Sequence, residues 1–242
     1  MEHSYLQIAL PFLSQLDSER QRQFEEYFKS APIWVIDALT TENVPKGTVF
    51  IHENEPADTI IFVGRGKVKA TDYRVSGIAF DFLKLDNMIA LGGMEVLMDI
   101  KYYMTTIETE TDCILVKLPR AYYEKWINND TDTYRIEVKY TCASLLDEVR
   151  RNRLYLFLEG ADRLTLLYVT LYEKYNKKGL LCIKESRMEM ANETGLSLKS
   201  ISRAIKKFTE EGLVIKSGNQ ILINQDQYKK LKEIINEKID SV

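Results

Sequence analysis

The sequence predicts an α+β chain: a small, turn-rich β barrel or sandwich, then one long helix, then a winged helix-turn-helix. Three stretches carry this expectation. From Val44 to about Leu118 short β-rich runs alternate with turns. From 131 to 158 apolar residues keep helical spacing. The run "NETGLSLKSISRAIKKF", residues 192–208, breaks at a glycine and passes into a helical pattern carrying a row of positive charge.

The 242 residues allow one large domain or two ordinary ones. Apolar runs such as Ile60 to Val63 are far too short to span a bilayer, and the opening residues lack a basic segment ahead of a long apolar one. No membrane anchor or signal peptide is expected. Cys113, Cys142 and Cys182 lie far apart with no C-x-x-C pair, which argues against disulfides or a cysteine-rich metal site and fits a reducing cytoplasm. The net charge is −3, but it is unevenly shared. Residues 1–159 hold 18 Lys and Arg against 25 Asp and Glu, or −7; residues 160–242 hold 15 against 11, or +4. Such asymmetry points to the second part as the one that meets a polyanion; chance clustering of surface charge is the competing reading.

Residues 7–30 read as short helices with a turn, Asp17 capping the second. In "GTVFIHENEPADTIIFVGRGKVKATDY" a strand over Thr48 to Ile51 precedes a turn over Asn54 to Asp58. A second strand over Thr59 to Val63 follows, then Gly64 and Gly66 ahead of a third. Later, "TTIETETDCILVKL" alternates and then becomes apolar. Close, regular spacing of strands and turns suggests the barrel or sandwich.

Within 119–159 a helix from about 131 to 158 would be roughly 40 Å long. Val138, Cys142, Leu145, Val149, Asn152 and Leu156 form one stripe along it; Ile136, Tyr140 and Ala143 form another beside it. Two stripes suit a helix that packs on its own domain with one and on a partner helix with the other. The alternative is a long core helix without a partner. Asn152 is the polar member that can fix register between paired helices. Gly160 ends this helix, Asp162 opens the next, and the domain boundary is expected there.

Ser186 with Glu189 three residues on has the spacing of a capping box, so a short helix spans Arg187 to Thr194 with Met190, Ala191 and Thr194 inward. Gly195 suits a left-handed position, and Ser197 caps a second helix that buries Ile201, Ala204, Ile205 and Phe208. Its other face shows Lys199, Arg203, Lys206 and Lys207, with Ser200 and Ser202 nearby. "EEGLVIKSGNQILINQ" then gives a hairpin through Lys216-Ser217-Gly218-Asn219. Helix, tight turn, basic helix and hairpin together make a winged helix-turn-helix, for which binding to double-stranded DNA is expected.

With these residues in place, the chain resembles the CRP/FNR superfamily of bacterial transcription regulators over nearly its whole length. "GTVFIHENEPADTIIFVGRGKVK" is similar to the early β-roll strands of that family, including the glycine at Gly66. "SRMEMANETGLSLKSISRAIKKFTEEGLV" is similar to its DNA-binding motif. The resemblance implies a cytoplasmic homodimer in three parts. Residues 1–130 would be a sensor β-roll, a double-stranded β-helix like that of cyclic-nucleotide-binding proteins, with flanking helices. Residues 131–159 would be the dimerisation helix, and 160–242 the winged helix-turn-helix on a near-palindromic operator. It also implies that Arg203 reads a guanine, while Lys199 and Leu198 stand where the best-known members have Glu and Arg, so the half-site should differ. Ser197, Ser200, Lys206, Lys207 and Lys216 are the candidates for phosphate, with a solvated helix face the competing reading for Lys206 and Lys207.

The sensor half departs from the cyclic-AMP-binding members. These carry Gly-Glu-Leu and then an Arg-Ser pair, whereas the segment here is "IALGGMEVLMDIKYYMTTIETE", with Leu91 in the expected place of the glutamate and Lys101, Tyr102, Tyr103 and Met104 around that of the pair. A phosphate wants a fixed guanidinium, so cyclic nucleotide binding is not expected. Three scattered cysteines do not make an iron–sulfur site, and His52 reads as structural or surface rather than as a haem ligand. Either no effector is needed, or a small organic molecule binds near Leu91, Gly92, Gly93, Tyr102, Tyr103 and Tyr140. Ordinary packing is the favoured reading of these tyrosines and of Tyr134. No cofactor, metal site or catalytic constellation is expected, since the only histidines are His3 and His52. A ligand-binding module without DNA binding and a β-roll metal enzyme are the rival classes. Activation would need a surface touching RNA polymerase, which no composition rule locates.

Overall fold

The computed structural model describes residues 5–73, 79–85, 88–158 and 160–240. The chain divides into two compact units. The first comprises residues up to Asp72 with Asp81–Leu146, and the second the 73–80 segment with Asp147 onward.

The first unit opens with α1 (Tyr5–Ala9), a 3₁₀ turn at Pro11–Gln15, α2 (Ser18–Tyr27) and α3 (Ile33–Ile36). Asp17 caps α2, its carboxylate accepting from the backbone N–H of Arg20 at 3.0 Å. The strands and a short helix follow: β1 (Thr40–Val44), β2 (Val49–Ile51), β3 (Thr59–Arg65), β4 (Val68–Tyr73), β5 (Ala79–Leu85), β6 (Ala90–Leu91), α4 (Gly93–Leu97), β7 (Thr106–Thr109) and β8 (Cys113–Pro119). They form two four-stranded sheets, ordered β1-β8-β3-β6 and β2-β7-β4-β5. The β region therefore begins at Thr40, earlier than Val44, because Thr40 to Val44 pairs with β8 from Lys117 to Cys113.

The central strands β3 and β8 bury both faces, and their alternation shows how. Ile60, Phe62, Val116 and Leu118 point to a core shared with Phe24, Tyr27 and Phe28 of the N-terminal segment and with Trp126. Ile61, Val63, Cys113 and Leu115 point to the interior with Ile51, Val68, Ala70 and Ile107. A strand that turns one residue in two to each of two cores reads as a continuous apolar run. At the β3–β4 turn Gly66 has φ 96°, and a Cβ there would meet the Asp112 carbonyl oxygen and Cys113 Sγ, each at 2.6 Å. That turn has room only for glycine.

The helical stretch after β8 is two helices, α5 (Arg120–Ile127) and α6 (Thr131–Phe157). Asp130 separates them: its carboxylate accepts from the backbone N–H groups of Asp132 and Thr133 and from Trp126 Nε1, all at 3.1 Å.

The second unit contains α7 (Ala161–Tyr175), β9 (Leu180–Ile183), α8 (Arg187–Thr194), α9 (Leu198–Glu210), β10 (Ile215–Ser217), β11 (Gln220–Asn224) and α10 (Gln225–Asp240). Gly160, at φ 47°, precedes α7, and Asp162 lies in its first turn. One core joins Leu164, Tyr168 and Tyr172 of α7 to Met190, Ile201, Ile205 and Phe208, with Ile221, Ile223 and Leu231 beneath. The hairpin pairs Ile215 with Leu222 and Ser217 with Gln220, and β9 adds a third strand on the far edge of β11. Among the described residues no helix is long and apolar enough to cross a membrane.

Candidate nucleic-acid interface

The motif of α8 and α9 is assembled by its caps. Ser186 Oγ accepts from Glu189 N at 3.2 Å, and the Glu189 carboxylate accepts from Ser186 N at 2.6 Å, closing a reciprocal capping box. Gly195, at φ 67°, takes the left-handed conformation that ends α8 and turns the chain. Ser197 then caps α9, accepting from Ser200 N at 3.1 Å. Met190, Ala191, Thr194, Ile201, Ala204, Ile205 and Phe208 are buried, so the opposite face of α9 is fixed outward.

That outward face carries Leu198, Lys199, Arg203, Lys206 and Lys207, all exposed. They are not equivalent. Lys206 and Lys207 sit 3.8 Å from the carboxylates of Glu210 and Glu211 one turn on, which offsets part of their charge. Lys199 lies in the first turn of α9 and Arg203 near its middle, and neither shares the ion pairs of the last turn. Ser197 and Ser200 share a hydrogen bond between their hydroxyls at 2.9 Å, so one of the two protons is already used. Lys216 is exposed on β10, beside the hairpin turn. Arg187 was not singled out from sequence: its Nη1 donates to Ser202 Oγ at 3.2 Å, placing a second guanidinium against α9. Only the crossing of α8 over α9 reveals it, since fifteen positions separate the two residues.

The six residues proposed around an effector do not form one group. Leu91 and Tyr103 share the interior core of the first unit. Gly92 has φ 94°, and a Cβ on it would press Ile60 Cδ1 at 2.9 Å and the Tyr103 ring at 3.4 Å. Tyr103 is buried, its hydroxyl donating to the Thr59 carbonyl at 2.5 Å, and burial pushes it above the usual phenol range. Tyr102 faces outward, 54% exposed. Tyr140 belongs with the helical core, stacked on Tyr27 with ring centroids 6.4 Å apart. Gly93 lies against Glu137 of α6. Arg120, whose charge reaches Tyr103, donates to Glu124 at 2.5 Å and to the carbonyls of Ala57 and Ile100 at 3.3 and 2.6 Å.

On α6, Ile136 and Tyr140 pack on the helical core, as Thr133 and Glu137 do deeper in. Val138 is half-buried; Cys142, Leu145 and Val149 are exposed, as are Tyr134, Ala143 and Leu146 beside them. Asn152 and Leu156 continue the stripe on the helix, but their side chains lie outside the described residues.

Residues 41–130 match the cyclic nucleotide-binding domain family. Among solved structures, the c-di-GMP-responsive global regulator CLP of Xanthomonas campestris superposes with a TM-score of 0.71 at 19% identity, over 84% of this chain and 99% of that one. A transcriptional regulator of the CRP/FNR family from Eubacterium rectale gives 0.70 at 19% identity, over 93% and 99%. One from Thermus thermophilus gives 0.67 at 18%, over 80% and 98%. The chain has the CRP/FNR fold. All three of these structures are of regulators. No curated protein matches the chain. Within the CRP/FNR fold the cyclic-nucleotide-binding-like unit spans the two sheets, and the α8–α9 motif with its hairpin belongs to the second unit.

Proposed function

We propose that the chain is a homodimeric, sequence-specific DNA-binding transcription regulator, with α9 lying in the major groove and the β10–β11 hairpin as wing. The observation that carries this reading is the outward face of α9: Arg203, Lys199 and Leu198 stand clear of the core on a helix whose orientation two caps and Gly195 fix. Arg203 reads a guanine through O6 and N7, Leu198 meets a thymine methyl, and Lys199 contributes to the altered half-site. Arg187, Lys216 and the hydroxyl pair at Ser197 and Ser200 hold phosphates, with Lys206 and Lys207 adding less because Glu210 and Glu211 face them.

Dimerisation through the stripe from Val138 to Val149 supplies two recognition helices about 34 Å apart on a near-palindromic site. The working division is residues 1–130 as sensor, 131–159 as dimer helix and 160–242 as reader. The CLP regulator answers to c-di-GMP, but the commitment of Arg120 and the filling of the Gly92 region by Ile60 and Tyr103 argue against an anionic nucleotide at Leu91 to Tyr103 here. RNA polymerase is the partner such a regulator would address.

Selection of duplex sites from a random pool by the purified chain tests the proposal. A two-fold symmetric motif supports it, and failure to enrich any sequence, with or without candidate effectors, returns the weight to a ligand-binding module.

A further inference from the structure

The first turns of α6 carry a buried acid with no cation beside it among the described residues. Glu137 is 1% exposed, and its partners are hydroxyls: Tyr27 donates to Oε2 at 2.6 Å, and Thr141 donates to Oε1 at 3.4 Å. Tyr27 and Tyr123 are bonded to each other at 2.7 Å, both fully buried. The acid sits where a side chain at position 93 would go: a Cβ on Gly93 would meet Glu137 Cδ at 2.9 Å and its Oε1 closer still. Glycine at 93 thus makes the seat, and α2, α4 and α5 wall it with Tyr27, Glu95 and Tyr123. Glu95 is itself buried, near enough for its charge to act on Glu137, and its Oε1 accepts from Met104 N at 3.1 Å.

We propose that Glu137 is a proton-operated latch: neutral, with Oε2 accepting from Tyr27 and its own proton on Oε1 turned to the Thr141 hydroxyl, it seats over Gly93 and pins the first half of α6 to the N-terminal core; ionised, it leaves the seat and loosens that stretch. An unpaired buried carboxylate is costly, and its alternative is to hold a proton or to move toward water. Burial pushes the Glu137 carboxyl above the usual range, against the downward pull of the tyrosine hydroxyls. A raised folded-state value means the stabilisation is complete below the ordinary carboxylate range and is lost as pH rises through the raised value. The two tyrosines are pushed well above the usual phenol range by burial, so the carboxyl is the group that titrates first. The latch holds or fails whether or not the chain binds DNA.

Hydrogen exchange of the full chain, followed by mass spectrometry on the peptide covering 131–146 and corrected for intrinsic rates, tests it from about pH 5 to about pH 9. Protection in the wild type should fall with rising pH, by up to about tenfold per pH unit, the slope of one proton. Glu137→Gln, neutral throughout, should be flat. Gly93→Ala should be poorly protected at every pH while β3 and β8 keep their protection. A wild type flat in pH, a Glu137→Gln profile that falls as the wild type does, or a Gly93→Ala peptide protected like the wild type each overturns the latch.

Discussion

Replacing Leu145 by alanine tests whether the open stripe of α6 is a subunit interface. Leu145 exposes 46% of its surface and Val149 53%, on a helix whose adjoining face is already packed on its own core. Completing the burial of roughly half a leucine is worth about 1 kcal/mol. A two-fold interface counts each residue twice, so Leu145→Ala should weaken self-association by about 2 kcal/mol, or about 30-fold in Kd. The folded protomer should be spared, since alanine is the better helix former and the position is exposed. Sedimentation velocity over a concentration series reads the effect directly. Val149→Ala should act similarly, and the double variant need not be additive because the two lie one turn apart. Lys139→Ala, exposed but off the stripe, is the control. If Lys139→Ala and Leu145→Ala shift the equilibrium equally, or the wild type is monomeric at every concentration, the stripe is not an interface.

Arg203→Ala should cost about 1–3 kcal/mol of specific binding to the selected site and relax preference at one position per half-site; an equal loss on all sequences would show a phosphate role instead. Phe208→Ala, which empties a 4%-exposed site in edge contact with Tyr168, should cost about 3–5 kcal/mol by chemical denaturation, and a loss under about 1 kcal/mol would mean the core of the second unit is misassigned. Ser186→Ala and Glu189→Ala remove opposite halves of one capping box, each by about 1 kcal/mol, so the double variant should lose less than the two singles together; strict additivity contradicts the reciprocal pair. Glu173 is held below the usual carboxylate range by Lys232, with Tyr228 also donating. A lowered value means this tie between α7 and α10 is present at neutral pH and is lost as pH falls through it. Glu173→Gln should therefore flatten part of the acid limb of stability, modestly because both groups are half exposed, and an unchanged limb would refute it.

The second unit was readable because its signals are local. Ser186 with Glu189, Gly195 and Ser197 each act within a few residues, and the bounds of α8 followed from them. What escaped there depends on distance in sequence: β9 joins the hairpin sheet from forty positions away, Cys182 against Leu222, and α10 reaches back through Gln227 Nε2 to the Gly212 carbonyl at 3.1 Å. In the first unit the runs of β3 and β8 announced strands but not their order. Period-two alternation assigns residues to two faces without saying which strand lies beside which. β1 was missed in part because Thr40 to Asn43 is polar and exposed, a strand held by pairing to β8 rather than by burial.

The same distinction separates the two candidate sites. A recognition surface is made of what a helix leaves uncovered, so an amphipathic pattern exposes Lys199 and Arg203 as soon as Ile201 and Ile205 are seen to turn inward. The interior of the first unit is made of what several elements close upon, and no single stretch contains it. Glu137 reads in sequence as one more charge between Ile136 and Val138. Its character comes from Tyr27, 110 positions earlier, from Tyr123, and from a missing side chain at Gly93. A helix tolerates a buried, uncompensated acid only where three other elements supply hydroxyls and room, and that requirement makes residue 93 as decisive as residue 137. Restoring the balance from either end should then be possible. In a Gly93→Ala background, Glu137→Ala vacates the space the new methyl needs. If the pair recovers protection of 131–146 that Gly93→Ala alone loses, now without dependence on pH, the seat is steric and the proton acts through Glu137 alone; if protection stays low, the tyrosine hydrogen bonds to Glu137 are needed to hold the helix and space at residue 93 is not enough.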